Sequence, residues 1–342
     1  MAGLGRNLRL GVGLLISLAC LAYVLREVDF HRLWQLTRQV NPLYVLGLAI
    51  LLAISLWFRS WRWRLLLEPV HHCRLGTLYS ANLIGLTANN LLPARLGELV
   101  RAYTLSQLEP VPASSALATL VLERVLDGLC LLLLLFAALL FADPQAHAGS
   151  FSVAYLRGAG LFLLTLYLGV LALMVCLWRW PRATMGWLGH LAGRLSPALG
   201  KRVEGLLETF HQGLAVIGRA RRLVPLGLSS LAVWVPILAM FLLFLPAVEM
   251  PPSLMLAAMA MAGASLGSAV PAGPGFVGTF QLAVAWCLMM AGADPQKAMA
   301  FSLIFWAVTN LPLTLAGLTE MWRRGTGFSP QKRGTNKESA AC

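Results

Sequence analysis

Charged residues are scarce in this chain: Asp, Glu, Lys and Arg make up 12% of 342 residues, where soluble domains carry roughly a quarter. No polar block is long enough to fold as a separate domain, which argues against a soluble catalytic unit. The six cysteines (20, 73, 130, 176, 287 and 342) are scattered, with no CxxC spacing. Neither a disulfide framework nor a zinc site is expected from them; they read as small buried hydrophobes. The four aspartates (29, 127, 143 and 294) form no D-x-D pair, and GxxxxGK[ST] is absent. No cofactor, metal or nucleotide site is expected, and no catalytic residue is assigned.

Apolar runs are abundant. Hydrophobic residues make up 58% of the chain, and mean hydropathy is +0.73. A membrane-crossing helix needs about 20 mainly apolar residues. Complete candidates are 8–25, 41–58, 114–141, 153–178, 223–245 and 297–320. The first follows Arg6 and Arg9 and is long for a signal-peptide core, so it reads as a retained span. Two further stretches, 75–108 and 252–292, are interrupted by Pro and Gly. The expectation is an all-α polytopic membrane protein. It has six full spans plus two broken, re-entrant helical hairpins, all in one membrane domain over 1–322. Residues 323–342 read as a basic, disordered cytoplasmic tail.

The net charge of +13 does not point to nucleic acid, because most Lys and Arg residues flank spans. The loop 179–222 carries Arg179, Arg182, Arg194, Lys201, Arg202, Arg219, Arg221 and Arg222. By the positive-inside rule that loop is cytoplasmic, and both termini fall on its side of an inner cell membrane. The stretch FRSWRWR (58–64) falls there too and reads as a set of interface anchors. Arg26, Arg32 and Arg38 fall outside, against the rule. Within the loop, Val203, Leu206, Leu207, Phe210, Leu214 and Ile217 recur at helical spacing. An interfacial amphipathic helix and a helix packed on the spans both fit.

The two broken segments match one another. LLPARLGE contains Pro93-Ala94-x-x-Gly97, and AVPAGPGF contains Pro271-Ala272-x-x-Gly275, with Pro274 inside it. Each is followed by a short apolar helix, a proline-containing turn and a long span. Three complete spans separate the breaks, so hairpins returning to their own sides would form an inverted repeat. Paired interrupted segments of this kind point to a transporter's midplane site. Two ordinary hairpins with kinked turns would give the same pattern.

Charges also occur inside the apolar layer. Arg95, Glu98 and Arg101 lie in the first broken segment, and Glu123, Arg124 and Asp127 lie about ten residues into the next span. Six unpaired charges at the bilayer centre would cost roughly 15–20 kcal/mol on an insertion scale, so pairing or hydration is required. Two readings fit. One is a bracing network, such as Arg124 with Glu98 and Arg101 with Glu123 or Asp127. The other has arginine forks meeting an anionic group. Asn89 and Asn90 either line the same cavity or cap the hairpin turn. In the second break, Gly273, Gly275 and Gly278 permit close backbone approach, and a helix starting near Phe276 could aim N–H groups at an anion. Thr279 and Gln281 add polar groups one turn in. GASLG (263–267) reads as small-residue helix packing.

With NNLLPARLGELVRAYTL, ATLVLERVLDGL and PAGPGFVGTFQ in view, the chain resembles the transmembrane, flippase-like domain of lysylphosphatidylglycerol synthases over about residues 8–322. It resembles a stand-alone member without the synthase domain. The resemblance implies translocation of phospholipids or related lipids between leaflets. By motif it points to Asn90, Pro93, Arg95, Gly97, Glu98 and Arg101, to Glu123, Arg124 and Asp127, and to Pro271, Gly273 and Gly275. The expected function is passage of an anionic phospholipid or lipid-linked headgroup along a polar intramembrane path, with membrane lipids as partners and no enzymatic activity. Two alternatives are an accessory subunit presenting lipid to a lipid-modifying enzyme and a membrane-embedded transferase.

Overall fold

The computed structural model describes residues 15–326 apart from 16, 27, 94, 141–146, 149–150, 195, 197–199, 201–204, 206–222 and 271. Polar caps set where several helices begin. After α1 (Ser17–Arg26), the Asp29 carboxylate accepts the His31 and Arg32 N–H groups to start α2 (Phe30–Gln39). Asn41 accepts the Leu43 N–H at the start of α3 (Pro42–Leu67). The chain continues through α4 (Leu75–Leu91), α5 (Gly97–Leu108) and α6 (Ala113–Leu140), then α7 (Val153–Arg179), α8 (Pro181–Gly193) and α9 (Leu223–Phe244). It closes with α10 (Leu254–Ala269), α11 (Thr279–Met290) and α12 (Pro295–Arg324). A two-residue antiparallel ladder, His147–Ala148 with Phe151–Ser152, joins α6 to α7. Proline at the first position of α3 and α12 supplies a φ already suited to a helix and lacks the N–H that would go unpaired there.

The runs 114–141, 153–178, 223–245 and 297–320 appear as α6, α7, α9 and α12, to within about a turn. Among the described residues, three helices are long and apolar enough to cross a membrane: Pro42–Leu67, Val224–Val248 and Pro295–Arg324. Their outward faces are apolar. On α3 the exposed stripe is Leu43, Leu46, Ile50, Ile54 and Trp57; on α12 it is Leu311, Leu315, Leu318 and Trp322. Such stripes face lipid in a membrane protein and would be a liability in water.

One boundary is corrected. The stretch 58–64, expected as interface anchors beyond a span ending at 58, instead continues α3, with Arg62 and Trp63 fully buried. Carboxylates on α6 draw Arg62 inward. Helices α2 and α8 are additions that the apolar runs did not signal. Of the expected cytoplasmic amphipathic helix, residues 206–217 with Lys201, Arg202, Val203 and Arg219 lie outside the described residues, as do Pro271 and the tail from 327.

Both broken segments fold as helical hairpins of matched size: 17 and 12 residues for α4 and α5, 16 and 12 for α10 and α11. Glycine makes each hairpin tight. A Cβ on Gly85 would lie 2.7 Å from the Arg101 Cβ, and one on Gly97 would run into the Gly85 carbonyl. In the second hairpin, Cβ atoms on Gly263 and Gly267 would lie 2.6 Å from the Ala283 oxygen and 2.5 Å from the Thr279 oxygen. GASLG is therefore a helix-packing motif. Overpacking of this kind costs about 1–3 kcal/mol. Gly267→Val is expected to lower the melting temperature of purified protein clearly, whereas Gly76→Ala, with nothing near its Cβ, is expected to leave it unchanged; equal melting of the two variants would contradict the close packing.

Candidate functional site

Helix α12 serves as a ruler for the two hairpins. Near its start, Lys297 Nζ donates to the Glu249 carbonyl at 2.8 Å, beside the base of the second hairpin. At mid-length, Trp306 Nε1–H donates to the Gly275 carbonyl at the second tip (2.8 Å). Asn90, at the end of α4, donates to Thr314 Oγ1 (2.9 Å) and the Asn310 carbonyl (3.4 Å). Near the end of α12, Glu320 accepts from Ser80, close to the base of the first hairpin (2.5 Å), and Arg324 donates to the same hydroxyl (2.8 Å). At 1.5 Å rise per residue, each base lies about 14–15 Å from the tips. The hairpins therefore approach from opposite ends of α12 and meet at its middle.

The meeting is direct. Arg95 Nη2 donates to Ser268 Oγ (3.2 Å), and its guanidinium lies 5.6 Å from the centre of the Phe276 ring. Arg95 and Phe276 both take positive φ, 55° and 56°, values uncommon for side-chain-bearing residues. The strain thus sits on the two residues that touch across the tips. Between the tips lies a cavity of about 230 Å³ whose polar lining includes Asn89, Asn90, Ser265, Ser268 and Asn310. Asn89 both lines it and caps the turn, accepting the Gly97 N–H at 2.8 Å.

Beside this cavity lies a buried ion cluster. Arg101 makes a two-pronged contact with Glu123 (2.7 and 3.0 Å) and stacks 3.7 Å over Trp63. Arg124 reaches Asp127 (3.1 Å) and Glu98 (3.6 Å). Arg101–Glu123 and Arg124–Glu98 are among the bracing pairs that spacing suggested; Arg124–Asp127 is an addition. Arg62 from α3 adds a 2.6 Å bond to Asp127 and lies 3.8 Å from Glu123. Trp234 connects the two features, because it lines the cavity and donates its indole N–H to Asp127 at 2.9 Å. Glu123 and Arg62 are fully buried, whereas the Arg124 side chain is 40% exposed.

The glycine run behaves differently from the expected anion cradle. The Gly273 N–H is taken by Ser17 Oγ (2.7 Å), and the Gly278 N–H by Gln281 Oε1 (2.7 Å). The helix starts at Thr279 rather than Phe276. Gly275, at φ 66°, passes close to Asn90 and Trp306. Thr279 donates to the Phe276 carbonyl. Pro93 lies in the first tip, and Pro274 opens a short 3₁₀ turn in the second. Sequence reasoning missed Arg62, Trp234, Asn310 and Ser17, because the partner of each is distant in sequence.

Opposed hairpins, apolar outward faces and a charge cluster turned inward define a multi-pass helical membrane protein. The sequence profile of the lysylphosphatidylglycerol synthase transmembrane region matches residues 11–317, and the chain belongs to that family. It is similar to glycosyltransferase AglD of Haloferax volcanii, 26% identical over 92% of this chain and 54% of that protein. A UPF0104 membrane protein of Methanothermobacter thermautotrophicus is 24% identical over 87% of this chain and 92% of its own length. Another, from Methanocaldococcus jannaschii, is 31% identical over 33% of this chain and 35% of its own. The chain thus spans about half of the first relative and about a third of the last.

Removing one partner of a buried ion pair costs about 3–5 kcal/mol, whereas replacing both with apolar groups is often neutral. Asp127→Ala should therefore destabilise the protein by that order, and Arg62→Met with Asp127→Leu should recover most of the loss, as read from thermal melts in detergent. A double variant no more stable than the single one would contradict the pairing.

Proposed function

We infer that the protein moves a lipid headgroup between leaflets, with the hairpin tips and their polar cavity as the path and the acyl chains left in the bilayer. The observation that carries this reading is the meeting of two opposed, interrupted hairpins at the middle of α12, a helix apolar enough to span the membrane. Hairpin helices of 12–17 residues are shorter than the roughly 20 needed to cross, so both hairpins are read as re-entrant. Broken backbone at that depth is tolerated where it is buried or lines a watery cavity, and transporters place their sites at such interruptions. The family resemblance supports the same reading. The hairpins, as an inverted repeat, supplement the full spans, the first of which, over 8–25, lies partly outside the described residues.

The first hairpin opens on the side of the Arg- and Lys-rich loop 179–222, taken as cytoplasmic. Arg32, on the opposite side, is held by Glu249 at 2.7 Å, which reduces its weight in the charge rule. An anionic lipid fits best, because Arg95 at the tips, with no ion pair among the described residues, adds positive charge beside a cluster of three arginines (62, 101 and 124) and three carboxylates (Glu98, Glu123 and Asp127). No catalytic step is assigned to this chain. A second reading, presentation of lipid to a partner enzyme, is favoured by the relative named as a glycosyltransferase, of which this chain covers 54%.

Reconstituted protein should accelerate exchange of fluorescent phosphatidylglycerol between vesicle leaflets, read by quenching from outside. Asn90→Leu with Asn310→Leu should slow that exchange at least tenfold without lowering the melting temperature. Folded wild type that moves neither phosphatidylglycerol nor phosphatidylcholine would contradict translocation and favour the presenting role.

A further inference from the structure

The ion cluster carries more positive charge than the protein neutralises. Arg62, Arg101 and Arg124 pair within 4 Å with Glu98, Glu123 and Asp127, and Arg59 and Arg95 lie near these charges without an ion pair of their own among the described residues, an excess of two positive charges. The carboxylates are committed: Glu123 to Arg101 and Arg62, Asp127 to Arg62 and Arg124, and Glu98 to Arg124. Four buried N–H positions, on Arg62 Nε and Nη2, Arg101 Nε and Arg124 Nε, donate no hydrogen bond, against one buried acceptor in the cluster, Asp127 Oδ2, that receives none. The cluster has more free donors than free acceptors.

Arg95 is engaged with Ser268 at the hairpin tips, which leaves two arginines at the edge of the cluster. Arg124 is 40% exposed at its side chain. Arg59 lies three residues before Arg62 on α3, is half-buried, and forms no ion pair within 4 Å among the described residues. It lies off the lipid-facing stripe that passes through Ile54 and Trp57, and on the side of Ser55, whose hydroxyl donates to the Val233 carbonyl of α9. Its position is about 12 Å from the end of α3 at 1.5 Å per residue, too deep for an unpaired arginine to be kept without cost. The charges acting on it are Asp127, Arg124, Arg62 and Glu123.

We propose that Arg59 and Arg124 form a binding site for a phosphate-type oxyanion at the edge of the buried ion cluster. Guanidinium forks match phosphate oxygens in pairs, and the surplus charge suits a mono- or dianion. Glu98 and Asp127 hold the Arg124 fork in place, while Arg59 supplies the fork that no protein group occupies. In the translocation reading on which this assignment rests, the site is where a lipid phosphate halts between the interface and the hairpin tips. A free phosphate would satisfy the same donors.

The test is equilibrium binding to the full-length protein in detergent, followed by the melting temperature. Dihexanoyl phosphatidic acid, dihexanoyl glycerol and inorganic phosphate are the probes. Wild type is expected to be stabilised by phosphatidic acid and not by dihexanoyl glycerol. Arg59→Gln should raise the half-saturating concentration at least tenfold, and Arg59→Lys, which keeps the charge but not the fork, should fall between. Arg59-dependent stabilisation by phosphatidic acid alone assigns a lipid headgroup; equal effects of inorganic phosphate assign a free-anion site. No stabilisation by either, or unchanged binding in Arg59→Lys and Arg59→Gln, overturns the site. Leaflet exchange measured on the same preparations separates the claims: binding lost with exchange intact removes only the site, and exchange absent with binding intact removes only translocation.

Discussion

A helix broken inside an apolar layer exposes N–H and C=O groups that no surrounding water can satisfy, and each must find a partner or cost several kcal/mol. Side chains of the hairpins themselves, joined at the second tip by two from elsewhere in the bundle, satisfy such groups at both tips here. Asn89 takes the Gly97 N–H, Ser17 takes the Gly273 N–H, Gln281 takes the Gly278 N–H, and Trp306 donates to the Gly275 carbonyl. Ser17 and Trp306 lie on α1 and α12, so satisfying the second tip fixes where those helices pass. The cavity between the tips follows, since its lining includes Asn89 and Trp306, two of the groups that satisfy the breaks.

The ion cluster performs the same service for charge. Glu123 and Asp127, one turn apart on α6, receive Arg101 from the first hairpin and Arg62 from α3. Three elements are therefore fixed relative to one another by directional bonds, in an environment where lipid supplies little drive to press helices together. Trp234 carries that bracing to the cavity wall through its bond to Asp127. Bracing and anion recognition are compatible within one cluster. The buried Arg62 and Arg101 hold the scaffold, while Arg124 keeps 40% of its side chain exposed.

Pro93 and the Gly273–Gly278 run were legible as breaks because proline and glycine punctuate helices locally, and the matched order around them suggested a repeat. The pairs Arg101–Glu123 and Arg124–Glu98 were legible too, because a bilayer forbids isolated charge and partners lay within about 25 residues. Arg62 was not. It follows an apolar run in a Trp- and Arg-rich stretch, the usual mark of an interface, and its partner Asp127 lies 65 residues away. Helix α2 was hidden for a different reason: its ten residues are too few and too polar to register as a span. The glycine run looked like a row of free N–H donors, yet two of these are spent on Ser17 and Gln281. Local sequence does not record which donors the fold consumes.

The most direct measurement is the membrane depth of the two tips. Spin labels placed at Leu96 and Val270, both exposed at about 38–39%, can be compared for collision with oxygen and with a water-soluble nickel complex in reconstituted bilayers. Both labels at mid-bilayer depth is the expected result and would establish opposed, re-entrant hairpins meeting inside the membrane. Either label at headgroup depth would contradict it.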